Sequence, residues 1–157
     1  MTLKELSTLD HAQRCKNTSM RSDYVPKEVF SDKTANKLTK AVIRYLQLHG
    51  YQAERISNMG RYIDESKVVT DAVGFTRRIG SGKYIKGTGT NGTADISSTI
   101  AGRSVKIEIK IGADKQSEAQ KKYQADIERA GGLYWIVKDW NGFIEQIHPM
   151  TISKLDK

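Results

Sequence analysis

The chain has 157 residues, with 26 Lys and Arg against 18 Asp and Glu, a net charge of +8, and 38% hydrophobic residues. That is enough for one domain with its own core and too little for two comfortable ones, while the basic balance favours polyanionic partners. No apolar run approaches a membrane span and no signal peptide opens the chain; the single cysteine, Cys15, excludes an internal disulfide.

These features predict a cytoplasmic, reducing, intracellular setting and no membrane partner; nucleoid association and a phage origin both fit. Cys15, His11, His49 and His148 fall at no zinc-ligand spacing. Residues 1–30 are polar, contain Pro26, and read as an N-terminal arm: a disordered segment, a loose helix near Leu3 to Leu9, or an element exchanged between subunits. The remainder, 31–157, reads as one domain.

Leu38, Val42, Ile43, Tyr45, Leu46 and Leu48 recur at helical spacing and Gly50 stops them, so a helix is predicted here, followed by a strand over Tyr51 to Ile56. A Gly-rich insertion at about 74–92 comes next, carrying Arg77, Arg78, Lys83 and Lys86 with no acid among them. It is expected to be a flexible loop on a nucleic-acid backbone, positioning without reading sequence, with Tyr84 available to stack on a base. Strand segments at Lys67 to Phe75 and Lys83 to Ile85 suggest a hairpin inserted before the rest of the domain.

Two phosphate-binding patterns in this stretch are decoys. Gly87-Thr88-Gly89-Thr90-Asn91-Gly92 spells a dinucleotide fingerprint, but that motif must open a helix, and β-branched residues follow. Gly80-Ser81-Gly82-Lys83 lacks the first Gly of a P-loop, where Arg77 stands, and Tyr84 replaces the Ser or Thr that would hold a metal.

Thr93 to Ile100 is β-branched, and Ala101-Gly102-Arg103-Ser104 reads as a turn into a second strand. There Val105, Ile107, Ile109 and Ile111 alternate with Lys106, Glu108 and Lys110, so Glu108 and Lys110 leave one face about 7 Å apart. Asp95, on the antiparallel neighbour, brings a second carboxylate toward them. Two carboxylates meet the minimum that Mg²⁺ asks of a protein, and Lys110 is a compact charge suited to a phosphate. A helix over Gln116 to Arg129 is predicted to pack Ala119, Tyr123, Ile127 and Ala130 on the sheet, with Gln120 either at the edge of the site or on the exposed surface and Gly131-Gly132 ending it. Leu133 to Val137 reads as a buried strand, Trp140-Asn141-Gly142-Phe143 as a turn, and Lys154 to Lys157 as a solvated end.

Gly92-Thr93-Ala94-Asp95-Ile96, Lys106-Ile107-Glu108-Ile109-Lys110, Ser117-Glu118-Ala119-Gln120 and Ala130-Gly131-Gly132 together resemble the PD-(D/E)XK nuclease superfamily, within it the VRR-NUC and Holliday-junction-resolvase-like branch. The resemblance covers roughly the C-terminal two-thirds of the chain. It implies an α/β, restriction-endonuclease-like fold, a central mixed β-sheet flanked by helices in the order α-β-β-β-α-β. It also implies an Mg²⁺-dependent endonuclease on DNA, selective for branched or junction structures, in which Mn²⁺ substitutes. By the same resemblance Asp95 and Glu108 bind metal with the carbonyl of Ile109, Lys110 is catalytic, and Gln120 lies at the active site. Two positions depart from the family: Ala94 stands where Pro is frequent, and Asn36 and Lys37 open the first helix without an acid, so one metal is expected rather than two. A resolvase acting on two strands would require a homodimer. The alternative is a non-catalytic nucleic-acid-binding protein that retains the fold.

Overall fold

A computed structural model describes residues 1–57, 60–85, 87 and 89–152, with side chains through Thr151. The chain divides into two compact units, one of Met1–Ile56 with Gly92–Lys157, the other Ser57–Asn91.

The first unit opens with helix α1, Leu3–Lys16. A capping box starts it: the Glu5 amide donates to Thr2 Oγ1 at 3.2 Å and the Thr2 amide to Glu5 Oε2 at 2.8 Å. Of the three readings left open for this arm, the helix is the one found, longer than Leu3 to Leu9. It is fastened by Leu6 in the core and by Asp10, fully buried, which receives Arg44 Nε from the next helix while Arg14 Nε lies 3.0 Å from its other oxygen. That next helix, α2, is Ala35–Leu48; Thr34 caps it, and Leu38, Ala41, Val42, Tyr45 and Leu46 form its buried stripe. Strand β1, Gln52–Arg55, follows.

The second unit holds four short strands, β2 (Arg61–Ile63), β3 (Lys67–Thr70), β4 (Thr76–Ile79) and β5 (Lys83–Ile85). They pair antiparallel as two separate two-stranded ribbons, β2 with β5 and β3 with β4. The Gly-rich stretch is therefore strand-bearing rather than a plain loop. The expected pairing of the Lys67 and Lys83 segments gives way to a nested one, because a tight turn at Asp71 closes β3 onto β4 first: Oδ1 of Asp71 accepts the amides of Val73 at 3.0 Å and Phe75 at 2.9 Å.

The first unit resumes with β6 (Ile96–Ile100), β7 (Arg103–Ile109), α3 (Glu118–Arg129), β8 (Leu133–Val137) and α4 (Trp140–Ile152). From α2 to β8 it runs α-β-β-β-α-β. The sheet order is β1-β6-β7-β8, antiparallel at the first two seams and parallel between β7 and β8, so the sheet is mixed. A helical crossover is what a parallel seam needs, and α3 supplies it.

Period two sorts the faces. Ile96, Ile107, Ile109 and Val137 join α1, α2 and α4 in one apolar core, while Lys106, Glu108 and Tyr134 stand on the other face, under α3. The expected turn at Trp140 is instead the first turn of α4: Oδ1 of Asp139 accepts the Gly142 amide at 2.8 Å, and Trp140, Phe143 and Ile147 bury at helical spacing. Tyr45 meets Phe143 edge to face, with ring centroids 5.3 Å apart. Among the described residues no helix is long and apolar enough to cross a membrane.

Candidate active site

Register builds the site. Ser97 lies opposite Lys106, whose Nζ donates to Ser97 Oγ at 2.6 Å, so the side chains of this face extend on to Asp95, just before β6, and to Glu108 near the end of β7. The Asp95 carbonyl accepts the Ile56 amide at 2.8 Å, extending the seam with β1, and toward β7 its side chain takes over: Oδ2 accepts the Ile109 amide at 2.9 Å. The Ile109 amide thus ties Asp95 to the end of β7, beside the residue whose carbonyl the resemblance assigns to a metal. Gly92 holds the approach to Asp95 in place. Its φ is +79°, and a Cβ there would run into the backbone of Ala119 in the first turn of α3.

Glu108 is 2% exposed. Its Oε1 receives Gln120 Nε2 and lies 3.1 Å from Lys110 Nζ, and its Oε2 lies 3.5 Å from the Tyr134 hydroxyl. Lys110 Nζ also reaches Asp114 Oδ2 at 3.2 Å. Gln120 is placed by the cap of α3, where Ser117 Oγ accepts its amide at 3.3 Å and its own Oε1 accepts the Ser117 amide at 2.9 Å. The structure therefore gathers Glu108, Lys110 and Gln120 in direct contact, with Asp95 one strand over.

Of the four positions expected to pack from helix α3, Tyr123 and Ile127 are half-buried and Ala119 and Ala130 are exposed. Gln120, Gln124 and Asp126 are half-buried too. The face beneath them is polar, so an apolar period does not report it. Tyr134 and Asp114 were not singled out from sequence; the signals were a lone hydroxyl-bearing ring in an apolar strand, and an acid four residues after Lys110.

Burial, followed by the nearby Asp95 charge, pushes the Glu108 carboxyl above its ordinary value, although Lys110 and Tyr134 pull against it. For Lys110, burial pulls downward, but Glu108 and Asp114 outweigh it and leave the ammonium above its ordinary value. Lys110 is thus a standing cation. Burial and the Glu108 charge raise the Tyr134 hydroxyl, which keeps its proton and remains a donor.

Two carboxylates that repel one another, within reach of open strand ends, are a donor set that suits a hard divalent cation. Among the described residues no three of His, Cys, Asp and Glu come together, so Asp95 and Glu108 meet the minimum and no more. A cavity of 390 Å³ lies elsewhere, on the α2 side, lined by Arg14, Lys40, Arg44 and Arg55 among others; Arg55 pairs with Ile96 and so shares the apolar face of the sheet, opposite Asp95.

The basic residues Arg77, Arg78 and Lys83 lie in the second unit, on β4 and β5, opposite Val69, Val68 and Ile63. Arg78 Nη2 pairs with Asp64 at 3.0 Å. Lys86 lies outside the described residues, as do Lys154 to Lys157. Comparison with known proteins found no matching family model, no matching curated protein and no matching solved structure.

Proposed function

We propose that this chain is an Mg²⁺-dependent nuclease with a restriction-endonuclease-like fold of the PD-(D/E)XK kind, cutting phosphodiester bonds in branched or otherwise structured DNA. The observation that carries it is the convergence of Asp95, Glu108, Lys110 and Gln120, from two strands and a helix, on one end of one sheet face, with Glu108 buried between Lys110 and Gln120. A solvated strand face would not bury a carboxylate and then surround it with donors.

Asp95 and Glu108 would hold the ion. Bound there, it would polarise the phosphodiester and lower the pKa of a water. Lys110, kept protonated by Glu108 and Asp114, serves as a fixed positive charge for the phosphate as negative charge develops, and not as a general base. Gln120 and Tyr134 hold the Glu108 carboxylate in one orientation from two sides.

A second reading, a nucleic-acid-binding protein without catalysis, draws on one observation: both Glu108 oxygens already face donors, and among the described residues no third acid joins Asp95 and Glu108 in a group that could hold a metal. The experiment is cleavage of labelled four-way-junction, flap, single-stranded and duplex DNA in Mg²⁺, Mn²⁺ or EDTA. Metal-dependent cleavage lost in Glu108→Gln and reduced about a hundred-fold or more in Lys110→Ala is the expected result. Binding that no metal converts to cleavage would establish the second reading instead.

A further inference from the structure

In the second unit Tyr62 and Tyr84 stand directly opposite one another across the β2–β5 ribbon, so both rings leave the same face. Each leans along the ribbon onto a glycine of the other strand. A Cβ on Gly82 would overlap the Tyr62 ring, and a Cβ on Gly60 would overlap the Tyr84 ring. The two glycines therefore leave room for the hydroxyl ends of the rings. Tyr62 is 66% and Tyr84 64% exposed, so most of each ring is open to solvent. Two large open aromatic faces in a small ribbon are costly in water unless something stacks on them.

Charge says what does. Residues 57–91 hold six Lys and Arg against three Asp and Glu, and Arg61 and Lys83 immediately precede the two tyrosines. Of the described Lys and Arg here, Arg78 is the one with an acidic partner among the described residues. By strand alternation Arg61 and Lys83 leave the opposite face of the ribbon, and an exposed aromatic pair on one face with cations on the other matches unpaired nucleotides, whose bases stack and whose phosphates need cations, independent of sequence. A duplex hides its base faces within its own stack, and an acidic protein would leave the rings unused.

We infer that Tyr62 and Tyr84, given room by Gly82 and Gly60, form a two-base stacking platform for single-stranded nucleic acid. The choice of DNA rests on the nuclease reading; the platform itself does not need catalysis. For a substrate with both paired and unpaired parts, such as a flap or an opened junction, this ribbon takes the unpaired strand.

The test is fluorescence anisotropy of the full chain in EDTA, with labelled oligothymidylate, a duplex of the same length, and inorganic polyphosphate as competitor. The parent should prefer the single strand. Tyr62→Ala and Tyr84→Ala should each weaken that binding about five-fold or more while leaving duplex binding unchanged, Tyr62→Phe and Tyr84→Phe should bind as the parent does, and Gly82→Ala, which displaces the Tyr62 ring, should behave as Tyr62→Ala. Equal affinity for strand and duplex, or polyphosphate competing as well as oligothymidylate, or a Tyr62→Ala/Tyr84→Ala double variant that binds like the parent, overturns the platform. Loss in the Phe variants does the same, because hydroxyl bonding would then carry the contact. Because no cleavage is read, a protein that passes here and never cuts DNA sinks the nuclease reading alone.

Discussion

The sheet of β1, β6, β7 and β8 hides one complete face beneath α1, α2 and α4, whereas the ribbons β2–β5 and β3–β4 leave Val68, Val73, Phe75, Tyr62 and Tyr84 in water. Composition does not separate the two regions, since both alternate β-branched and charged residues; partners do. Strands become buried where helices with apolar stripes exist to cover them, and the described residues of 57–91 form none. The first unit can therefore supply a low-dielectric place for a carboxylate, and the second supplies accessible surface.

The sharpest way to break this contrast is to damage each unit in kind. Phe143→Ala removes a fully buried ring that packs against Tyr45 and Trp140, and urea unfolding should show a loss of about 3–5 kcal/mol. A loss under about 1 kcal/mol would mean that α4 is not part of the core. Next comes Asp10→Asn, which leaves Arg44 and Arg14 facing a neutral amide at a fully buried point. Because both arginines are partly solvated the cost should be about 2 kcal/mol, between the values for buried and surface pairs.

Glu108→Gln should act in the opposite direction. Burial and Asp95 raise its carboxyl, so the folded chain holds that proton more tightly than the unfolded chain, and the resulting stabilisation is full in acid and lost as pH rises through the raised value. The variant has no such proton, so its Tm should exceed the parent's by a margin that opens between about pH 4 and neutrality. A margin that is constant or closes as pH rises would contradict the assigned environment. The smallest effect belongs to the second unit: Phe75→Ala, at a residue 73% exposed, should change stability by no more than about 0.5 kcal/mol.

Where a residue faced an apolar neighbour, sequence period revealed it. The alternation through Val105, Ile107 and Ile109 marks β7 and puts Glu108 and Lys110 on the face they occupy; Leu133 to Val137 is β8 to the residue. Polar packing left no such trace: the apolar period of α3 found Tyr123 and Ile127, but it also chose Ala119 and Ala130, which are exposed, and passed over Gln124. Helix α4 was hidden by Asn141-Gly142, a pair common in turns, although Asp139 caps it and Trp140, Phe143 and Ile147 carry its stripe. The nested pairing of the ribbons was not legible, because strands exposed on both faces carry no period to fix register.

Gln120 spends its two ends on different tasks, Oε1 closing the first turn of α3 and Nε2 holding Glu108. A capping box is usually satisfied as well by Glu as by Gln, yet here only the amide has something to give the carboxylate it meets. Fraying of that helical turn consequently removes one of the three donors that Glu108 has, leaving Lys110 and Tyr134. The helix end is a latch, and the hydrogen-exchange rate of the Gln120 amide reports how often it is open.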